Sequence, residues 1–450
     1  MGGIAVIRVS GPDSINIVSN AWIGKDLASS PSHTLHFGKY RSIEGSVLDE
    51  AVSSIFRSPA SFTGENVVEI SIHGSTWIQK EVLNDLIKRG VRIAQPGEFT
   101  QRAFLNGKLD LAQAEGVADL IASSSKAAHA MAINQIKGSF SSEFEALRKK
   151  LIDFASLLEL ELDFSEEDVE FADRSSLLLL CDEILDKVNK LAHSFSYGNV
   201  LKNGVPVVIA GLPNAGKSSL LNLLLNDDKA IVTEIPGTTR DIIEDTAEID
   251  GILYRFIDTA GLRHTSDVVE GIGVKRALSA LRKAFIVVWV IDITLPLSEQ
   301  IEPLIKFSQE NPDKKLIILF NKNDLAKEEH DIEIRKQFQK DYPLLNEKVI
   351  LFSTHSKQGL DSLLEQLRKE VAQDINPEKD IIVTNARHYE ALIRAAASLS
   401  RVKEGLINGI SGDFIAQDIR ESISYLATIT GEITTDNLLH SIFSRFCIGK

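Results

Sequence analysis

The sequence predicts an α/β phosphate-loop domain with a doubly wound sheet, inserted into an all-α domain and preceded by an α+β domain. Three observations predict it. Short apolar, β-branched runs at Val205–Ala210, Leu253–Ile257 and Leu316–Phe320 each end in a polar turn. Helical periodicity flanks this region on both sides, and the first hundred residues mix both patterns. The expected divisions are residues 1–107, 108–200, 201–376 and 377–450, the second and fourth forming one helical domain split by the third.

Composition sets the class. The 450 residues are 44% apolar and 25% charged, an ordinary globular mix. No apolar run is long enough to cross a membrane and no leader pattern opens the chain, so a cytoplasmic protein is expected. Cys181 and Cys447 are too few for a disulfide framework. A net charge of −14 argues against binding nucleic acid over the whole surface.

In chain order, Ile4–Val9 reads as a strand and Gly11-Pro12-Asp13 as a helix start. The first strand begins so near Met1 that an upstream edge strand is expected to be missing. Val67–Ile72 reads as a second strand with an amphipathic helix, Thr76–Arg89, behind it. Leu109–His193 carries apolar residues at helical spacing, as in Leu147, Leu151, Phe154, Leu157 and Leu158. The acidic stretch Glu159–Asp173 is a solvated turn or a cation site, and Tyr197–Gly204 reads as a linker. Val205–Asp374 alternates strands and helices. Beyond it, Arg387–Lys403 and Asp413–Thr428 carry helical stripes. Gly431 stops the second of these, and Thr434 or Thr435 caps the last helix. Arg387, Arg394 and Arg401 recur every seven residues, giving a solvated face or a face for nucleic-acid phosphates.

Chemistry concentrates after the apolar runs. Gly211–Ser219 (GLPNAGKSS) has the spacing of a phosphate loop, between a strand and the helical run Leu220–Leu225. Backbone N–H groups of Asn214, Ala215, Gly216 and Ser219 would cradle phosphates, Lys217 would reach the β- and γ-phosphates, and Ser218 would bind Mg²⁺. Asp258-Thr259-Ala260-Gly261 supplies an acid for the Mg²⁺ shell. Asn321-Lys322-Asn323-Asp324 supplies a carboxylate, Asp324, that accepts from the N1–H and 2-amino groups of guanine, so the nucleotide is GTP. Ser353-Thr354-His355 would pack under the base through its backbone. The loop Thr233-Glu234-Ile235-Pro236-Gly237-Thr238-Thr239 lies between the first two elements, with Thr239 as the second hydroxyl on Mg²⁺. Leu262 stands where many GTPases place a water-orienting glutamine, leaving Glu270 as a candidate or as a mere surface carboxylate.

These segments, with Ser61–Gly74 (SFTGENVVEISIHG), Arg102–Glu115 (RAFLNGKLDLAQAE) and the closing Cys447–Lys450 (CIGK), resemble the MnmE (TrmE) family of tRNA uridine-5-carboxymethylaminomethyl modification GTPases over nearly the whole chain. The resemblance implies a homodimer whose GTPase is activated by K⁺. It further implies a flavoprotein partner, MnmG (GidA), in a heterotetramer or larger complex. Together they would add an aminomethyl-type group at C5 of the wobble uridine of certain tRNAs. It makes Asn214, Thr233, Ile235 and Thr238 the K⁺ ligands and Glu270 the water-positioning residue. It also makes the first domain a site for a reduced folate (5-formyl- or methylene-tetrahydrofolate), held by Arg8, Glu69, Lys108 and Lys450. Cys447 is then a reactive thiolate, where its residue type alone reads as a small buried hydrophobe. The sequence departs from the family in its shortened opening strand and in Ser-Thr-His at 353–355. A ribosome-assembly GTPase and a one-carbon transferase with structural GTP are the rival readings. The first lacks an RNA-binding signature in either flank, and the second would not hydrolyse GTP.

Overall fold

A computed structural model describes residues 2–163, 174–226, 230–232, 244–258, 280–325, 336, 338–346, 348–372, 376–377, 379–444, 446 and 449. The chain divides into two compact units, one of Met1–Ile121, Gln135–Leu185 and Arg394–Lys450, the other of Ala122–Asn134 and Asp186–Ile393.

The first unit holds a five-stranded antiparallel sheet of β1 (Ile4–Ser10), β2 (Trp22–Gly24), β3 (Thr34–Arg41), β4 (Val47–Phe56) and β5 (Val67–His73), in the order β1-β5-β4-β3-β2. One face is the core: Ile7, Val9, Tyr40, Ala51, Ile55 and Ile70 pack with Val18, Val82 and Leu86 of the helices Ser14–Asn20 and Thr76–Lys88. Asp85 fastens the second helix, accepting from Tyr40 Oη (2.9 Å), Ile43 N (2.7 Å) and Arg89 Nε (2.7 Å). Burial pushes its carboxyl up, but these three donors outweigh burial and hold it below the ordinary value.

The other face of this sheet carries large apolar residues as well, among polar ones. Val6, Ser71, Val52 and Phe37 lie in one row across four strands, and Arg8, Glu69, Ser54 and Leu35 in the next. Ile4, Val6, Leu35 and Phe37 are 73%, 57%, 70% and 69% exposed. The sequence reading leaves β2, β3 and β4 unassigned, and β3 shows why. Its core-facing residues are His36, Gly38 and Tyr40, while Leu35 and Phe37 face out, so the alternation runs in the wrong phase for a strand with one wet face. Gly38 is required because a Cβ there would stand 2.6 Å from the Trp22 indole.

Helices complete this unit. Ser139–Asp163 packs along Gly412–Thr430. Leu147, Leu151, Phe154 and Leu158 are buried as the spacing predicts, whereas Leu157 is exposed. Cys181 is buried, its thiol pushed up to about 11 by desolvation, so it is an unreactive core residue. Gly431 ends its helix at φ +87°, and Thr435, rather than Thr434, caps Asp436–Phe443 by accepting from Leu438 N. The stretch 164–173 of the acidic segment lies outside the described residues.

In the second unit β6 (Val205–Gly211), β7 (Ala230–Val232), β8 (Glu244–Ile249), β9 (Ile252–Asp258), β10 (Ile286–Asp292), β11 (Lys315–Asn321) and β12 (Val349–Leu351) form one sheet, ordered β12-β11-β10-β6-β9-β8-β7. The five strands β12, β11, β10, β6 and β9 run parallel, and β8 and β7 extend the edge antiparallel. β10 is buried at every residue, as a parallel strand covered on both faces must be. The expected linker at Tyr197–Gly204 is instead the end of a helix that runs Arg174–Asn203. Gly198 in that stretch serves packing: a Cβ there would stand 2.2 Å from the Val383 carbonyl oxygen. The helix stops at Gly204, φ +86°.

Candidate functional site

The polar groups of the second unit gather at the carboxyl ends of its parallel strands. β6 lies between β9 and β10, where the strand order reverses, so the loop after it opens at the switch point where such sheets bind ligands. Gly211 has φ +140°, and a Cβ on it would lie 2.2 Å from the Val290 carbonyl oxygen of β10. Gly216 has φ +102°, and its Cβ would lie 2.2 Å from Asn321 Nδ2. Gly211 is therefore required by the approach of β10, and Gly216 by the Asn321 side chain.

Helix Lys217–Leu225 begins at this loop. Lys217 is buried and donates from Nζ to Leu212 O at 2.7 Å, folding over the loop it serves. Ser218 and Ser219 stand exposed at the same helix start. Asn214 is exposed at the crest, in the left-handed region at φ +62°, which asparagine tolerates better than most residues. Ala215 is buried. Asp258, the last residue of β9, is registered against Ile209 of β6, one strand from the loop. Serine hydroxyl and aspartate carboxylate are hard oxygen donors suited to Mg²⁺, and a neutral amide oxygen at Asn214 suits a monovalent cation.

Asn321 ties three loops together. Fully buried, it donates from Nδ2 to Ala215 O (2.8 Å) and accepts at Oδ1 from Thr354 N (3.2 Å). Its neighbour Lys322, at φ +64°, pairs with Asp292 Oδ2 at 2.5 Å. Burial raises the Asp292 carboxyl, but Lys322 and Thr294 outweigh burial and hold it below its ordinary value. No sequence motif points to Asp292, although it ends β10 just as Asp258 ends β9. Buried Ser353 donates from Oγ to Asp324 Oδ1 at 2.6 Å. Ser353 thus acts through its side chain, not its backbone alone. It orients the carboxylate expected to meet guanine. His355 is 91% exposed, with Nδ1 4.0 Å from Asp324 Oδ2. Thr233, Glu234, Ile235, Pro236, Gly237, Thr238, Thr239, Thr259, Ala260, Gly261, Leu262 and Glu270 lie outside the described residues.

In the first unit Arg8 and Glu69 are cross-strand partners on the exposed face of the sheet. Arg8 brings both Nε (2.9 Å) and Nη2 (2.7 Å) to a single oxygen, Glu69 Oε1. Glu69 Oε2 accepts no hydrogen bond among the described residues, so an acceptor remains for an N–H-bearing ligand such as a pterin. The Arg8 guanidinium lies over the rings of Phe62 (5.3 Å) and Phe99 (5.4 Å). Lys108 is exposed, its stem packed beside Gly64. The chain end comes to the same region: a Cβ on Gly97 would meet Phe443 O at 2.7 Å and Phe446 at 3.1 Å. Cys447 and Lys450 themselves lie outside the described residues.

A charge ladder stands beside this pair. Glu98 takes both Nη atoms of Arg92 and, through Oε1, Nε and Nη2 of Arg102. The Arg92 hydrogen bonds, against partial burial, hold Glu98 down to about 2. A carboxyl lowered in the folded state contributes stability above its unfolded value, lost as pH falls through the folded value. Thermal melts should therefore show the wild-type chain losing stability between about pH 4.5 and 2. Glu98→Gln should be less stable at neutral pH and decline less across that window. A Glu98→Gln melt that falls as steeply as wild type would remove the assignment.

The arginine repeat of Arg387–Lys403 is not a free basic face. Arg401 pairs with Asp418 (2.8 Å) and with Glu421, Arg394 lies over the Tyr425 ring at 5.9 Å, and Arg387 contacts its neighbour His388 at 2.9 Å.

Residues 111–447 match the family model described as the MnmE helical domain, and residues 1–108 match the GTP-binding protein TrmE N-terminus. The tRNA modification GTPase MnmE of Bacteroides thetaiotaomicron is 51% identical over 457 residues, covering 100% of this chain and 97% of its own. The same-named protein of Bacteroides fragilis is 51% identical over 453 residues, with the same coverage. That of Cytophaga hutchinsonii is 49% identical over 450 residues, covering 100% of this chain and 95% of its own.

Proposed function

The chain belongs to the MnmE (TrmE) family of tRNA modification GTPases, and from that premise we propose a K⁺-activated GTP hydrolase acting with the flavoprotein MnmG. Together they would carry out folate-dependent addition of an aminomethyl-type group at C5 of the wobble uridine of certain tRNAs, in the cytoplasm. Among the described residues no helix is long and apolar enough to cross a membrane. The observation that carries the hydrolase half is Asn321 bridging the phosphate loop at Ala215 to Thr354, with Ser353 holding Asp324.

In this reading the loop amides and Lys217 hold the β- and γ-phosphates, and Ser353 keeps the Asp324 carboxylate turned to guanine. Ser218, Thr239 and Asp258 would hold Mg²⁺, which supplies charge neutralisation on the phosphate oxygens when bound. Asn214, with Thr233, Ile235 and Thr238, would hold K⁺, which supplies positive charge where Leu262 and the absence of an assigned arginine finger leave none. Glu270 would orient the attacking water. Arg8, Glu69, Lys108 and Lys450 would bind the reduced folate, the open Glu69 Oε2 accepting from the pterin N–H and amino groups. Cys447 would serve as the reactive thiol of the tail.

The homodimer has its own support. Ile4, Val6, Leu35 and Phe37 share one sheet face, each more than half exposed, and are costly to leave in water. Leu35→Asp with Phe37→Asp should convert a dimer to a monomer at micromolar concentration, read by light scattering. A dimer that survives both charges would move the interface elsewhere. The full reading is tested by nucleoside analysis of tRNA from cells lacking the gene. Loss of the modified wobble uridine, restored by the wild-type chain, is the expected result; an unchanged nucleoside profile would refute it.

A further inference from the structure

Arg102 bridges Glu98, the residue after the seat of the chain end, and Glu65, the loop residue that holds the end of the strand carrying Arg8. It lies on the helix Glu98–Leu105. Nε and Nη2 donate to Glu98 Oε1, at 3.1 and 2.7 Å, on the first residue of that helix. Nη1 donates to both oxygens of Glu65, at 3.1 and 2.9 Å, in the loop before β5. Glu65 Oε2 in turn accepts from Ser10 Oγ at 2.7 Å, and Ser10 ends β1, two residues after Arg8. Thr63, fully buried, shares a 2.8 Å hydrogen bond with Ser10, and its carbonyl accepts from Asn106 Nδ2 at 2.7 Å.

At the other end of the ladder the helix start is where two further contacts meet. Gly97, immediately before Glu98, is the surface on which Phe443 and Phe446 rest, closely enough that no Cβ fits. Phe99, immediately after it, lies under the Arg8 guanidinium. Phe443 and Phe446 also belong to the apolar cluster with Leu111, Ala114 and Leu439. Movement of the chain end off Gly97 would therefore tilt Glu98 and Phe99 together. A rigid, planar guanidinium with two nitrogens on one Glu98 oxygen and the third on both Glu65 oxygens transmits such a tilt, because moving either carboxylate turns the whole plane away from the other.

We infer that Arg102 is a positioning residue that couples the seating of the C-terminal segment on Gly97 to the placement of the Arg8–Glu69 pair. The inference rests on the reading of that pair as the folate site. It gives the ligand a reason to depend on the chain end beyond any contact Lys450 makes: an unseated end leaves Arg8 without its aromatic floor and β1 without its tether.

The test uses the full-length chain, 5-formyltetrahydrofolate as the probe in calorimetry, and amide hydrogen exchange in two windows, residues 436–446 and Ile4–Ser10. Arg102→Gln should accelerate exchange at least tenfold in both windows and weaken folate at least tenfold. Arg102→Lys, which keeps the charge and loses the fork, should fall between Gln and wild type in all three readouts, a graded rescue that general loosening would not produce. Gly97→Ala, which keeps every ladder side chain but sets a Cβ against Phe443 O at a backbone φ of +69°, should reproduce the Gln pattern by unseating the chain end. Where Arg102→Gln does not fold, the Lys and Gly97 variants decide alone. Gly97→Ala that speeds exchange only in 436–446 would overturn the coupling, as would wild-type folate affinity in Arg102→Gln. A wild-type chain that binds no reduced folate would instead overturn the folate reading, and the Ile4–Ser10 window would still decide whether the two ends are coupled.

Discussion

Asn214→Ala should hydrolyse GTP no faster in potassium than in sodium, while the unmodified chain is at least about tenfold faster in potassium, a barrier difference of about 1.4 kcal/mol or more. Hydrolysis builds negative charge between the β- and γ-phosphates, and an arginine finger that meets it elsewhere is worth about 10³–10⁵ in rate. With no such arginine assigned, the neutral amide of Asn214 is the group proposed to hold a cation there. Asn214 stands exposed at the crest of the loop, and removing its side chain leaves Lys217 and the buried Ala215 in place. GTP affinity should therefore change little. Glu270→Ala should show the complementary pattern, with potassium-dependent pairing of the nucleotide domains kept and turnover lost. Phosphate-release rates in matched chloride salts decide it, and equal rates for the unmodified chain in the two salts would defeat the mechanism.

Asp324→Asn should weaken GTP by about a hundredfold, roughly 2.7 kcal/mol, and improve binding of XTP. Ser353 Oγ donates to Asp324 Oδ1, so an amide at 324 is turned with its oxygen toward Ser353 and its NH₂ toward the base. That NH₂ would face the N1–H and 2-amino donors of guanine, leaving donors against donors, whereas xanthine offers an oxygen at C2. Competition binding with the two nucleotides measures the exchange. Undiminished GTP affinity in Asp324→Asn would take the base assignment away. Ser353→Ala should weaken GTP in the same direction but less, because it frees the carboxylate to rotate without changing its chemistry.

The sequence by itself determined whatever depends on local spacing and residue chemistry. A glycine loop between a strand and a helix, a carboxylate after a second strand, and Asn-Lys-Asn-Asp after a third are legible because each is a short run ending at a strand's carboxyl terminus. Helices such as Ser139–Asp163 were legible because Leu147, Leu151, Phe154 and Leu158 repeat at helical spacing along one buried face. Only the tertiary structure decided matters set by partners distant in sequence. Gly198 sits inside a helix because the Val383 carbonyl passes against it, 185 residues away, and no local rule distinguishes that from a linker. β3 was invisible because its outward residues are Leu35 and Phe37, and periodicity cannot say which phase of an alternation meets the core. Glu69 and Arg8 pair because β1 and β5 are antiparallel neighbours, and Arg102 meets Glu65, 37 residues away in sequence, because the loop before β5 lies beside its helix. A motif records what a loop can bind; which side chains hold it in place depends on contacts that the order of residues does not encode locally.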